Sequence, residues 1–187
     1  MVEEEKIKWF DLDIENNNIL RDCFGVVTKE DIETCEKFIG ITFPESYKTL
    51  MMACDGGFPK KDCFNYYSIP FTRYRGSCLG MFLLFSEDYP CPSELLIAQY
   101  KRPGEFFPEG LIAFGEVGNG DSICFDYREN KSNKNPPIVI WEHEGNPDNN
   151  VSYLAPDFES FMSMLKDDEE AETELEKLRK KEKEGGF

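Results

Sequence analysis

The sequence contains little histidine, no paired cysteine motif and no long apolar run. Its 187 residues include one histidine and seven cysteines, and no two of the cysteines form a C-x-x-C pair. This pattern predicts reduced, buried thiols rather than a disulfide framework or a zinc site. No run approaches the roughly 18 apolar residues of a membrane span, and the charged amino-terminal stretch lacks the apolar core of a signal peptide. We therefore expect a soluble, cytoplasmic protein.

Basic residues are also scarce relative to acidic ones. The chain carries 21 Lys and Arg against 37 Asp and Glu, which gives a formal net charge of −16. Nucleic acids and anionic membranes are bound through Lys and Arg, so we expect neither as a partner. A basic protein would be attracted over long range. The alternative is that the charge only keeps the protein soluble.

Motifs that would support catalysis are missing too. The sequence has no P-loop, no GxGxxG turn and no GxSxG elbow. His143 stands between Glu142 and Glu144, but strand alternation would point both glutamates away from it. Asp121 and Asp126 would likewise lie on opposite faces of a regular strand. We therefore predict no catalytic residue, no metal ligand and no cofactor, and we keep a metal-dependent hydrolase using Asp121, Asp126 and His143 as a remote alternative.

The stretch that organises the rest is 111–127, LIAFGEVGNGDSICFDY. Two short apolar runs flank Asn119-Gly120, a pair that predicts a type I′ hairpin turn because both residues tolerate positive φ. Helical patterns lie on both sides of it in sequence. We therefore expect this hairpin at the centre of a sheet.

Residues that commonly begin or end helices and strands predict the other elements. Thr28 is placed to cap a helix that Gly40 ends, and Pro44 suits the first turn of a second helix. Strands are expected within 58–78 and at 81–85, 138–143 and 151–154, with helices at 93–100 and after Pro156. We assign residues 1–166 to a single domain. Residues 167–187 form a charged, weakly anchored helical extension, with a partner-binding helix as the alternative.

Acidic side chains lie close in sequence to aromatic ones, a combination common at protein interfaces. For each carboxylate the alternative is an ordinary solvated surface charge. The candidate partner-binding residues are Tyr66, Tyr67, Glu116, Asp121, Glu142, Glu144 and Asp148.

The order of several short motifs resembles a known family. FPESYK at 43–48 is followed by Gly56-Gly57, then by GNGD at 118–121, by WEHE at 141–144 and by FESF at 158–161. This arrangement resembles the SMI1/KNR4 family of the SUKH superfamily over roughly residues 24–166. Asp55 stands where the family often has Asn, and the charged tail lies outside the pattern.

The resemblance implies an α+β fold, with a mixed, mostly antiparallel β-sheet packed with helices and no catalytic centre. It also implies a function: bacterial members look like immunity proteins that bind and neutralise a cognate polymorphic toxin, often a nuclease. Fungal relatives are linked to regulation of cell-wall synthesis, so a regulator or scaffold interaction module is the alternative. The sequence leaves the toxin, the contact face and the oligomeric state open.

Overall fold

The structure is a computed structural model that describes residues 20–85, 96 and 107–184. Within them the α+β class is confirmed, and every strand pairing is antiparallel. The predicted helix at 93–100 lies outside the described residues except for residue 96. The strands are β1 (Leu20–Arg21), β2 (Phe58–Pro59), β3 (Cys63–Ser68), β4 (Arg73–Phe82), β5 (Leu111–Val117), β6 (Ser122–Asp126), β7 (Ile138–Trp141) and β8 (Val151–Ala155), and the helices are α1 (Lys29–Ile39), α2 (Glu45–Ala53), α3 (Phe158–Met164) and α4 (Asp168–Glu184).

Helix α1 begins and ends where the sequence predicts. The Thr28 hydroxyl accepts a hydrogen bond from the Asp31 amide, and the Asp31 carboxylate accepts one from the Thr28 amide at 2.8 Å. This reciprocal capping box satisfies amides that would otherwise lack partners in the first turn. The Thr28 hydroxyl also donates to the Asp31 carboxylate at 2.6 Å, and this bond and the one from the Thr28 amide lower the pKa of Asp31. Gly40 ends the helix in the left-handed region at φ 82°, and α2 then begins directly after Pro44.

The central hairpin is formed by β5 and β6, but its turn is not type I′. Only Gly120 of the central pair has positive φ, at 91°. The Gly120 amide donates to the Val117 carbonyl at 3.1 Å, and the Val117 amide donates to the Asp121 carbonyl. This is the pattern of a three-residue loop in which a glycine in the left-handed region follows a tight turn. Asn119 instead uses its side chain, which accepts from the Asp121 amide at 3.2 Å and donates to the Asp121 carboxylate at 2.8 Å.

The large sheet runs β3-β4-β5-β6-β7-β8 in chain order. It is curled, because β3 and β8, the two end strands, contact each other. The Ile69 amide, just after β3, donates to the Ser152 hydroxyl on β8 at 2.8 Å. We call this junction the seam. Side chains bridge it, whereas backbone ladders join the other neighbouring strands.

Aromatic rings fill the core between the sheet and the helices. Phe114 on β5 stacks on Phe125 on β6 with ring centroids 4.3 Å apart. Tyr47 of α2 reaches the same cluster and lies 5.0 Å from Phe125 and 5.3 Å from Phe158 of α3. All four residues are essentially fully buried. The helix that FESF predicts is thus held to the hairpin by ring-to-ring packing.

Helix α4 is anchored more firmly than the charged sequence predicts. It packs across β3 and β4, and its Ala171 is 6% exposed. The Asn65 amide group donates to the Ala171 carbonyl and to the Glu174 carboxylate, both at 2.8 Å. Lys166 pairs with Glu174 at 2.5 Å. Opposite charges and one small buried residue therefore hold α4 on a sheet face that would otherwise be open.

The expectation of reduced thiols is wrong for four cysteines. The structure joins Cys23 to Cys54 and Cys63 to Cys78 in disulfides. Among the described residues Cys35 and Cys124 are free. The C-x-x-C motif does not detect these pairs, because their cysteines are 31 and 15 positions apart in sequence. Folding brings them together, and antiparallel register places Cys63 opposite Cys78.

Candidate partner-binding surface and the Glu142 network

An Asp–His contact joins the hairpin turn to the loop between β7 and β8 (residues 142–150). Asp121 is 3% exposed, and its Oδ1 accepts from the His143 backbone amide at 2.9 Å. The same oxygen lies 2.8 Å from His143 Nδ1, which donates because a carboxylate can only accept. This fixes the ring, with Nε2 directed to the partly exposed side, 4.0 Å from a Glu144 oxygen. The two acidic loops are therefore held together at one end of the sheet.

Next to this contact, Glu142 lies buried at the seam. Its carboxylate is 1% exposed, and its Oε1 accepts from Tyr66 at 3.0 Å, Ser68 at 2.8 Å and Arg75 at 3.0 Å. Its Oε2 accepts from Ser152 at 2.7 Å. A buried carboxylate is tolerated only when its oxygens are satisfied in this way.

The Glu142 network ties together strands that are far apart in sequence. Tyr66 and Ser68 lie on β3, Arg75 lies on β4 and Ser152 lies on β8. Arg75 is fixed from its other side, since its guanidinium lies 4.4 Å from the centroid of the Phe71 ring. Burial, together with the nearby Glu142 charge, raises the pKa of Tyr66, whose hydroxyl donates to the Glu142 carboxylate. The network closes the seam, and its saturated carboxylate is not available to a substrate.

The structure separates the seven predicted partner-binding residues into two groups. Tyr66, Asp121 and Glu142 are 5%, 3% and 1% exposed, so their side chains cannot form a contact surface in this fold. Their burial follows from the hydrogen bonds just described, which sequence reasoning did not foresee. Tyr67, Glu144 and Asp148 are exposed, and Glu116 is half-buried.

Two exposed apolar residues near the seam were not among the candidate partner-binding residues predicted from the sequence. Ile69 is 44% exposed and Tyr153 is 58% exposed. Ile69 follows β3 and hydrogen-bonds to Ser152, the neighbour of Tyr153, so both lie at the seam. Strand alternation in VSYLA could have indicated that Tyr153 faces away from Ser152 and Leu154. Nothing local in the sequence marks Ile69.

The remote hydrolase arrangement is not assembled. Asp121 and His143 do meet, but Asp126 ends β6 at the far end from Asp121 and pairs with Arg128 at 2.7 Å. Burial raises the pKa of Asp126, but the hydrogen bonds and charge of Arg128 outweigh it and leave this pKa lowered. Two carboxylates held apart in this way do not converge on one bond or one ion.

A cleft of about 300 Å³ lies elsewhere, between the end of α1 and the start of β5. Ile41, Leu111 and Tyr127 line it, with Lys131 at its edge. The Tyr127 hydroxyl already donates to the Thr42 carbonyl at 2.7 Å. Glu109 also lines the cleft and lies 3.6 Å from the Lys131 ammonium, so the polar side chains here are one committed hydroxyl and one exposed ion pair.

Comparison with known proteins identifies the class. The model of the SMI1 / KNR4 family (SUKH-1) matches residues 26–164, which is most of the chain. The chain belongs to this family, in agreement with the resemblance carried by its motifs. A comparison with curated proteins found no match. Within the described residues, no helix is long and apolar enough to cross a bilayer.

Proposed function

We propose that this chain is a non-catalytic immunity protein that binds a cognate bacterial toxin domain and neutralises it. The family match over residues 26–164 carries the proposal, because bacterial members of the family look like immunity proteins. The net charge of −16 favours a basic toxin, such as a nuclease domain. Neutralisation here is stoichiometric binding in the cytoplasm, with no bond made or broken by the immunity protein.

The contact surface we propose consists of Glu116, Tyr67, Glu144 and Asp148, extended by Ile69 and Tyr153. Exposed aromatic and apolar side chains supply the buried centre of such an interface, and acidic side chains supply its rim. Asp121 and Glu142 act indirectly, since one fixes the loop that carries Glu144 and the other holds the seam beside Ile69. A preformed surface of this kind loses little entropy on binding.

The electrostatic part is tested with the toxin domain encoded beside this chain, by measuring association at several salt concentrations. Reversing both Glu144 and Asp148 to Lys should slow association by about 10-fold or more at low salt, with a smaller effect at high salt. The matched control reverses Glu169 and Glu172 on α4, which changes net charge equally at another exposed place. Equal losses in both double variants would contradict the proposed surface and leave only a net-charge effect. Absence of binding, or of growth rescue in cells that produce the toxin, would contradict the function itself.

The apolar part is tested by truncating Tyr153 to Ala, which should weaken binding by about 10-fold or more through faster dissociation. Phe38→Ala is the control, since Phe38 is 57% exposed but lies on α1. If only the Phe38 variant weakens binding, the partner contacts α1 rather than the seam.

A second candidate is a regulator or scaffold module of the cell-wall-synthesis kind. The observation that favours it is α4, a charged helix beyond the family match whose outer positions are exposed. This hypothesis predicts that a partner protein co-purifies with the chain only when the α4 surface is intact. It also predicts that no toxin gene lies next to the gene for this chain.

A further inference from the structure

Two carboxylates lie close to the buried sulfur of the cross-strand cysteine pair. Cys63 is buried at the start of β3, and Cys78 is exposed opposite it on β4, with 4.0 Å between their Cα atoms. Cys63 Sγ lies 3.4 Å from Asp62 Oδ1 and 3.9 Å from Asp168 Oδ1. Asp168 is the first residue of α4. Among the described residues, Asp62, Cys63 and Cys78 are the one group of three potential metal ligands whose donor atoms lie within 4.8 Å of one another.

We propose that the reduced form of this pair binds a zinc ion through Cys63, Cys78, Asp62 and Asp168. Tetrahedral zinc with Zn–S near 2.3 Å and Zn–O near 2.1 Å places sulfur and oxygen ligands about 3.6 Å apart. The observed separations of 3.4 and 3.9 Å from Cys63 Sγ to the two carboxylates bracket that value. Both carboxylates are thus close to ligand spacing from Cys63 Sγ, and Asp168, which lies outside the 4.8 Å group, moves closer to the other ligands when the ion binds.

The disulfide must open before the ion can bind. A small-molecule or protein dithiol supplies two electrons and two protons: the Cys63–Cys78 bond breaks, two thiols form and the dithiol becomes a disulfide. The exposed Cys78 is the accessible sulfur for this exchange. Zinc then displaces the two thiol protons and binds two thiolates, whose sulfurs separate to about 3.8 Å in a tetrahedral site. Disulfide and zinc site are therefore alternative states of one pair.

The site would also fix the carboxyl-terminal helix. Asp168 begins α4, and backbone hydrogen bonds already pair Cys63 with Lys166 at 3.1 and 2.8 Å. Lys61 lies on the same side, paired with Asp167 at 3.0 Å, and offsets part of the local negative charge. In a reducing compartment the ion would replace the covalent link of the β3–β4 hairpin and add a link to α4. This inference does not depend on the proposed toxin binding.

The test uses the full chain, reduced with a phosphine and titrated with Co²⁺ as a spectroscopic substitute for zinc. We expect one equivalent to give the visible absorption of tetrahedral cobalt together with a thiolate charge-transfer band, both abolished by Zn²⁺ and absent from the oxidised protein. Cys78→Ser should reduce the intensity of the charge-transfer band to about half or less, because only one thiolate remains. A variant with Cys23 and Cys54 both changed to Ser should retain it.

The carboxylate ligands are tested by Asp168→Asn, which should weaken cobalt binding by at least about 10-fold, as loss of even an outer partner does. Glu172→Gln is the matched control on the exposed face of the same helix. Circular dichroism confirms that each variant is folded. A reduced, folded protein without a thiolate band would overturn the site, as would a band of undiminished intensity in the Cys78 variant. Equal affinities for the Asp168 and Glu172 variants would overturn the assigned ligand set.

Discussion

Replacing Glu142 with Gln should destabilise the protein substantially although the side chain keeps its size. Three donors now share one charged oxygen, at 3.0 Å from Tyr66, 2.8 Å from Ser68 and 3.0 Å from Arg75. Each hydrogen bond to a charged group contributes roughly 1 kcal/mol more than a neutral one. Replacing the carboxylate with a neutral amide should therefore lower the free energy of unfolding by about 2–4 kcal/mol in total. The Gln amide group would also face Ser152, whose oxygen already accepts from the Ile69 amide. For a chain of this length, this loss corresponds to a melting temperature about 4–16 °C lower.

The assay is urea unfolding followed by circular dichroism, with Glu144→Gln as the control. Glu144 is 74% exposed, so its variant should change the free energy of unfolding by no more than about 0.5 kcal/mol. A double-mutant cycle with Arg75→Met isolates the ion pair and should give a coupling energy of about 1–3 kcal/mol. If Glu142→Gln costs no more than the control, the seam is not held by this carboxylate and the reasoning fails.

Three further predictions concern other parts of the fold. Ala171→Glu should detach α4 by placing a charge in a site that is 6% exposed, so amide exchange would speed up in α4 alone, whereas Glu172→Ala should leave it unchanged. Tyr47→Phe should be neutral or stabilising by up to about 1 kcal/mol in thermal unfolding, because its buried hydroxyl has no hydrogen-bond partner among the described residues; a clear loss would indicate a bound water there. Asp126→Asn should destabilise at pH 7, where the carboxylate is ionised and paired with Arg128. Because the folded pKa is lowered, this difference should shrink as pH falls below about 3.9, and a pH-independent difference would contradict it.

Local signals predicted the helix ends and the position of the central hairpin. Thr28, Gly40 and Pro44 each act through their own backbone or their nearest neighbours, so their roles can be inferred from a few consecutive residues. The hairpin was placed correctly at Asn119-Gly120, but its turn type was not. Asn119 had an alternative to positive φ, a side-chain hydrogen bond to the next-but-one residue, and the sequence pattern does not distinguish these two conformations.

The exposure of the candidate site residues could not be inferred in the same way. Glu142 and Glu144 have the same chemistry and nearly the same neighbours, yet one is buried and the other is in solvent. The difference is that Tyr66, 76 positions away in sequence, and other donors from β3, β4 and β8 converge on Glu142 when the sheet curls. Sequence spacing contains no information on that convergence.

By itself, the sequence determined the family, the α+β class and the boundaries of the best-capped elements, because those depend on local backbone preferences and apolar periodicity. Only the tertiary structure decided which acidic residues are exposed, which cysteines pair and that the charged tail docks. Each of those outcomes depends on groups that are distant along the chain and become neighbours only through strand register and sheet curvature.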